Sequence, residues 1–497
     1  MTKTILSLAL LSSCIPLAQG EVILYGTLDM RVSFEHQRIH YNPLPSNFKI
    51  PPYIAIDGHR VIVVNGAARP SNFSPAATTN PNIRQQLLNG RLKPPRRTNQ
   101  LVLTQGWYEQ SHVGIKGEET LGQGLNVGFK LETGFNPLNG ALMDPDHFFD
   151  REASIHLTSR YGTLYAGRLG ELKGSVGSVG FFANEANPFG SGWGEVIGGI
   201  GPYGAQSISH LNNAIAYVSP EIQGLTLYAQ YSGGQDNVQN QSIADRTYAL
   251  GAKFKHGPLT IAGVLDTTQI KTSKAYLDYT LIIRGRVKNY HVPRKNPLTL
   301  NLAANLELQD WKLFASMQMF KNVRNINQSI TGDWIPPNPI RPSELFYMAH
   351  IIDSLFYRGP YASRMEFLGL NKRPWINGGM TRIHPTYMFA LANTINESIK
   401  YNGLSLTTGF TAPLGRGKLY ASMGFLKAKT YTYAIRKVEL AKVTHVGFGL
   451  GYLYPLSRRT DLYAATGGIF DRWSTPVVSS KATQHLLQAG VGLTHRF

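Results

Sequence analysis

The chain has 497 residues, 42% of them apolar and 16% charged, with 50 Gly, 25 Tyr, 22 Phe and a formal charge of +19. Beyond residue 20 it contains no run of eighteen or more apolar residues, which excludes transmembrane helices and leaves a closed barrel as the way such a chain spans a bilayer. Its single cysteine, Cys14, excludes a disulfide framework or thiolate metal site in the rest of the chain.

Residues 1–20 read as a signal peptide. Lys3 supplies the positive start, Ile5 to Leu11 a short apolar stretch, and Ala18-Gln19-Gly20 small residues where cleavage would leave Glu21 as the new N-terminus. Leu11-Ser12-Ser13-Cys14 also resembles a lipobox, which would instead leave a lipidated Cys14.

The next segment sets the pattern for the whole chain. Val22, Leu24, Leu28, Met30, Val32 and Phe34 share one parity, and Thr27, Asp29, Arg31 and Ser33 the other. Such alternation over about ten residues is what a transmembrane strand requires, with one face in lipid and the other in a lumen. Between similar runs, seven short turns fall at 118–124, 159–162, 220–224, 256–258, 309–310, 413–417 and 455–460. Seven hairpins, an opening strand over Val22 to Phe34 and a closing strand over Gln484 to Phe497 predict an all-β, sixteen-stranded antiparallel barrel, a single domain over 21–497. An even strand count of this size encloses an aqueous channel. The other connections are long, above all 35–105 and 323–396. The connection at about 170–210 is rich in glycine, which suits sharp turns within a confined space.

Several stretches carry a family likeness. SHVGIKGEETLGQGLNVGFKLETGFNP from Ser111 and DREASIHLTSRYGTLYAGRLGELKG from Asp150 resemble the general diffusion porins of Gram-negative outer membranes, in the form found in β-proteobacteria. NNAIAYVSPEIQGLTLYAQYS from Asn212, YPLSRRTDLYA from Tyr454 and GVGLTHRF from Gly490 extend the likeness to the end of the chain. The resemblance implies a homotrimer, a third loop folded inward as a constriction, and a terminal Phe497 read by the barrel-assembly machinery. Three departures stand out: the two very long loops, and His210 where an Arg often begins the sixth strand.

Charge then assigns candidate residues. A lumenal charge is solvated, whereas an Arg or Lys facing lipid at the midplane costs roughly 2–4 kcal/mol. Arg31, Lys116 and Lys130 lie on the polar parity of the first three strands and are expected to line the wall. Glu171, Glu185 and Glu195 are the acids of the third loop, expected to face those bases across the lumen. Arg168 shares the parity of Leu164 and Ala166, yet the resemblance puts an Arg there, so it joins the constriction set.

Chemistry beyond conduction finds no support. No His-Glu-x-x-His spacing suggests a metal, no Gly-x-Ser-x-Gly elbow a hydrolase, and the glycine-rich loop lacks the Lys-Ser/Thr of a phosphate cradle. No cofactor is implied. The segments 35–105, 270–296 and 323–396 hold most of the excess of Lys and Arg over Asp and Glu. With no nucleic-acid-binding motif beside them, these basic loops suit anionic lipopolysaccharide and membrane lipid, and would draw anions toward the mouth. The expected function is passive diffusion of small hydrophilic solutes and ions with weak anion preference. A surface-adhesion platform built on the long loops and a ligand-specific channel stand as alternatives.

Overall fold

The computed structural model describes residues 21–41, 53–57, 60–64, 97–145, 147–190, 193, 210–234, 245–270, 278–283, 286–291, 295–323, 326, 400–432, 438–475 and 480–497. The signal-peptide expectation for 1–20, and most of both very long loops, lie outside them. In chain order the strands begin with β1 (Glu21–Tyr41), β2 (Tyr53–Asp57), β3 (Arg60–Val64), β4 (Arg97–Gln105), β5 (His112–Gly122), β6 (Leu125–Gly134), β7 (Glu152–Ser159) and β8 (Gly162–Gly170). A short helix, α1 (Phe182–Ala186), follows β8. Then come β9 (His210–Val218), β10 (Leu225–Ser232), β11 (Arg246–His256), β12 (Leu259–Gln269), β13 (Asp278–Ile283), β14 (Arg286–His291), β15 (Leu298–Leu308) and β16 (Trp311–Val323). The last are β17 (Lys400–Leu414), β18 (Gly417–Thr432), β19 (Val438–Pro455), β20 (Thr460–Thr475) and β21 (Ser480–Arg496).

Sequential antiparallel pairing joins all but two small hairpins, β2–β3 and β13–β14, into one sheet, and β1 closes it against β21. β4 and β5 are two pieces of one barrel strand. β1 pairs with β5 through Glu21–Thr27 and with β4 through Met30–Arg38, so the closed barrel has sixteen strands, as the alternation predicts. All seven predicted turns are present. Gln123 and Gly124 adopt φ of 52° and 76°, and Gln223 and Gly224 φ of 52° and 85°, the left-handed pairs that tight hairpins need.

Burial along the strands is inverted relative to a soluble protein. In β15 Leu298, Leu302 and Leu308 are 43%, 41% and 47% exposed, whereas Thr299, Asn301 and Asn305 between them are buried. The apolar parity is therefore the outer, lipid-facing wall, and the polar parity points inward.

The opening strand and the first long loop need correcting. β1 continues to Tyr41 rather than ending at Phe34, and β4 starts at Arg97, well before residue 105. The hydrophobic alternation stops at Phe34 because His36 and Arg38 replace apolar residues on the outer face, but hydrogen-bonded pairing with β21 runs on. A sequence period reports where the lipid ends; the ladder can outlast it.

Candidate functional site: the lumenal wall and the segment after β8

The segment that leaves β8 is attached to the inward face of the barrel from its first residue. Gln230, inward on β10, accepts from the Leu172 amide at 3.2 Å and donates to the Gly170 carbonyl at 2.7 Å. Glu152 at the outer end of β7 accepts from the backbone amide and the hydroxyl of Ser178 at 3.0 and 2.6 Å. Lys173 lies 2.9 Å from Asp266 of β12 and 3.9 Å from Glu171. Burial alone would push the Lys173 ammonium down, but these two carboxylates outweigh it and hold its pKa above the ordinary lysine value.

The same segment has an apolar underside. Leu172, Val179, Phe181, Phe182 and Ala186 are buried against inward positions that are small, among them Ala214, Ala216, Ala249, Ala262 and Ala303. A wall of alanines leaves room for a second layer inside the barrel, and each fully buried Leu or Phe contributes roughly 1.5–3 kcal/mol. Phe181 stacks on Tyr228 with ring centroids 3.9 Å apart, over Gly251, where a Cβ would come within 2.9 Å of its ring. Pro188 sits on Gly409, and Phe189 and Trp193 sit on Gly451, where a Cβ would approach them to 3.0 and 2.8 Å. The segment thus passes from β8 along β10, β12 and β15 and arrives at β17 and β19.

α1 presents Glu185. Its carboxylate accepts from Asn305 Nδ2 at 2.9 Å and lies 3.7 Å from Lys312 and 3.8 Å from Lys253. The bases that Glu185 meets belong to β11 and β16, not to the first three strands. Lys253 and Lys312 occupy the inward parity of their strands, so the alternation that singled out Lys130 would have found them too.

The predicted wall bases have partners of their own. Arg31 lies 3.6 Å from Glu35 and 4.3 Å above the Trp107 ring. Lys116 sits 5.4 Å over Tyr25. Lys130 lies 3.2 Å from Glu132 and 3.1 Å from Glu152, inward carboxylates that the sequence reading passed over. Glu171 turns to Lys173 of its own segment, and Glu195 lies outside the described residues. Arg168 stays on the outward parity of β8, where its Nε donates to the Asp150 carbonyl at 2.7 Å and Nη1 donates to Asn212 Oδ1.

A second inward feature had no signal in the alternation. Between β4 and β5, residues 106–111 leave the ladder while β1 advances only from Met30 to Thr27. Asp29 holds them, accepting from the Glu109 amide at 2.7 Å and from the Tyr463 hydroxyl at 2.9 Å. The Trp107 carbonyl in turn accepts from the Trp193 amide. Among the described residues no group of three or more His, Cys, Asp or Glu is placed to hold a metal. The assembled features are a polar, charge-paired inner wall and the contacts that residues 171–190 make with it.

Residues 4–470 match the family model described as Gram-negative porin. The chain belongs to the Gram-negative porin family. A porin of this family is an outer-membrane channel and not an enzyme, which accords with the wall just described. The chain is 24% identical over 399 residues to an outer membrane porin protein of Bordetella pertussis (strain Tohama I), covering 78% of this chain and 82% of that one. Among solved structures it is similar to an anion-selective porin from Comamonas acidovorans, at 17% identity and a TM-score of 0.49, over 96% of this porin and all of that chain. It is also similar to a loop-deletion mutant of OmpT from Vibrio cholerae, at 11% identity and a TM-score of 0.46, over 96% and 99% of the two chains.

Proposed function

We propose that this porin passes small hydrophilic solutes and ions by passive diffusion, that the 171–190 segment constricts the path, and that the channel weakly prefers anions. The observation that carries the reading is the contact of Glu185 with Lys253, Lys312 and Asn305, which sets an inward-packed segment against bases on the wall. Opposite charges across a narrow lumen make a transverse field, which orients polar solutes and biases ions by sign. The formal charge of +19 supports the anion preference. The rest of the reading is a signal peptide over 1–20, a homotrimer, recognition of Phe497 by the assembly machinery, and contact with lipopolysaccharide. Reversal potential across a salt gradient tests the preference: a potential of the sign for anions is expected, and a cation-selective value refutes it.

A further inference from the structure

We propose that the outward face of β18, β19, β20, β21 and β1, just beyond the apolar band, is a binding belt for the phosphate groups of outer-leaflet lipid. On each of these strands the lipid-facing parity changes from apolar to basic near its outer end. In β18 Met423 and Phe425 are followed by Lys427 and Lys429, and in β19 Leu450, Phe448 and Val446 are followed, beyond Thr444, by Lys442. β20 goes from Phe470 to Arg472, β21 from Leu487 to His485, and β1 from Phe34 through His36 to Arg38. Lys427, Lys429, Lys442, Arg472, His485 and Arg38 are all exposed.

Register makes these one surface. Lys427 is opposite Thr444, Thr444 opposite Arg472, and Arg472 opposite Thr483, so the two bases of this row, on β18 and β20, alternate with the threonines of β19 and β21. Lys429 faces Lys442 one step further out. On β21 and β1 the change comes one step earlier, with Phe470 opposite His485 and His485 opposite Arg38. Strands in a barrel tilt by about 35–45°, so a row at constant depth must slip in register as it passes around the wall. The belt therefore follows a depth in the membrane.

Its side of the bilayer is set by the turns. The belt lies at the strand ends opposite the tight hairpins at 415–416 and 456–459, and tight turns are periplasmic in such barrels. The outer leaflet is the one it meets. The ion pairs on this face run to Glu439, 3.3 Å from Lys429 and 3.9 Å from Lys442, one carboxylate between two ammonium groups. Outward bases are sparser on other strands: β10 ends on Tyr231 and β12 on Thr267 and Gln269, while β11 has Arg246 beyond Tyr248 and β16 has Lys321 beyond Met319 as single bases. A doubly phosphorylated saccharide headgroup presents the anionic oxygens that several Lys and Arg at one depth bind together.

The test uses the full-length porin in mild detergent, with lipid A carrying both phosphates as probe and the same lipid A with its phosphates removed as comparison, followed by native mass spectrometry. The triple variant Lys427→Gln/Lys442→Gln/Arg472→Gln should bind the phosphorylated lipid roughly a hundredfold more weakly. The control Arg416→Gln, in the tight periplasmic hairpin at the other end of β17 and β18, should bind it as the parent does. Should the triple variant not fold, the single variants Lys442→Gln and Arg472→Gln should each lose about fivefold. Unchanged affinity in the variants, equal loss in the control, or equal binding of the dephosphorylated lipid overturns the belt. Channel conductance recorded from the same samples reports separately on the diffusion reading, since these side chains face away from the lumen.

Discussion

Single glycines decide how closely the inner layer and the seam can approach. Gly26 pairs with Phe497 through two backbone hydrogen bonds of 3.1 and 3.0 Å, and a Cβ there would come within 2.4 Å of the Phe497 ring. Gly26→Val should push the terminal ring off the seam and lower the yield of folded barrel, read as heat-modifiable mobility on gels; normal yield would show that the ring tolerates displacement. Gly451→Leu should lift Phe189 and Trp193 from the wall and change single-channel conductance while leaving the barrel folded. Lys173→Met breaks a buried ion pair, for which a loss of about 3–5 kcal/mol is an upper value here, because Asn301 and Thr299 still donate to Asp266. The pH dependence follows from sign. A lysine held above its ordinary value gives its full contribution below the unfolded pKa and loses it as pH rises through the folded one. The segment should stay seated from about pH 6 to 9 and loosen only in alkali, beyond roughly 10.4. A conductance step near neutrality would contradict this anchor.

The elements differ in how plainly the sequence announces them. Strands with one face in lipid are legible because the bilayer enforces a period of two, and β15 shows it with leucine at Leu298, Leu300, Leu302, Leu306 and Leu308. Turns are legible because tight hairpins need glycine or a left-handed partner. The outer ends of β1 and β4 were not, since polar residues replace apolar ones there while backbone pairing continues. The break at 106–111 left no trace either. It is fastened by Asp29 and Tyr463, residues far apart in sequence whose proximity exists only once the barrel closes. For the candidate site, parity singled out Lys130 on the polar face of its strand but did not say which bases α1 would meet. That depends on the path of the 171–190 segment, set by small side chains such as Ala249 and Ala303 that carry no charge signal. Glu185→Gln should shift the reversal potential further toward anions by removing the acid beside Lys253 and Lys312, and an unchanged potential would place Glu185 outside the ion path.

At the scale of the molecule, an apolar outer wall, a polar inner wall and a packed inner segment make a channel the economical account of the fold. The 171–190 segment holds on by contacts of three kinds: the charged anchor at Lys173, the hydrogen bonds to Glu152, and the apolar face of Leu172, Phe181 and Phe182. Losing one should alter the lumen without opening the barrel, because the strand ladder is independent of them. The most direct measurement is single-channel recording of the purified porin in planar bilayers, with the parent beside the double variant Glu152→Gln/Ser178→Ala. The account predicts discrete steps whose size scales with salt concentration, and larger or noisier steps in the variant as its segment loosens. Folded protein that inserts and gives no steps would contradict it.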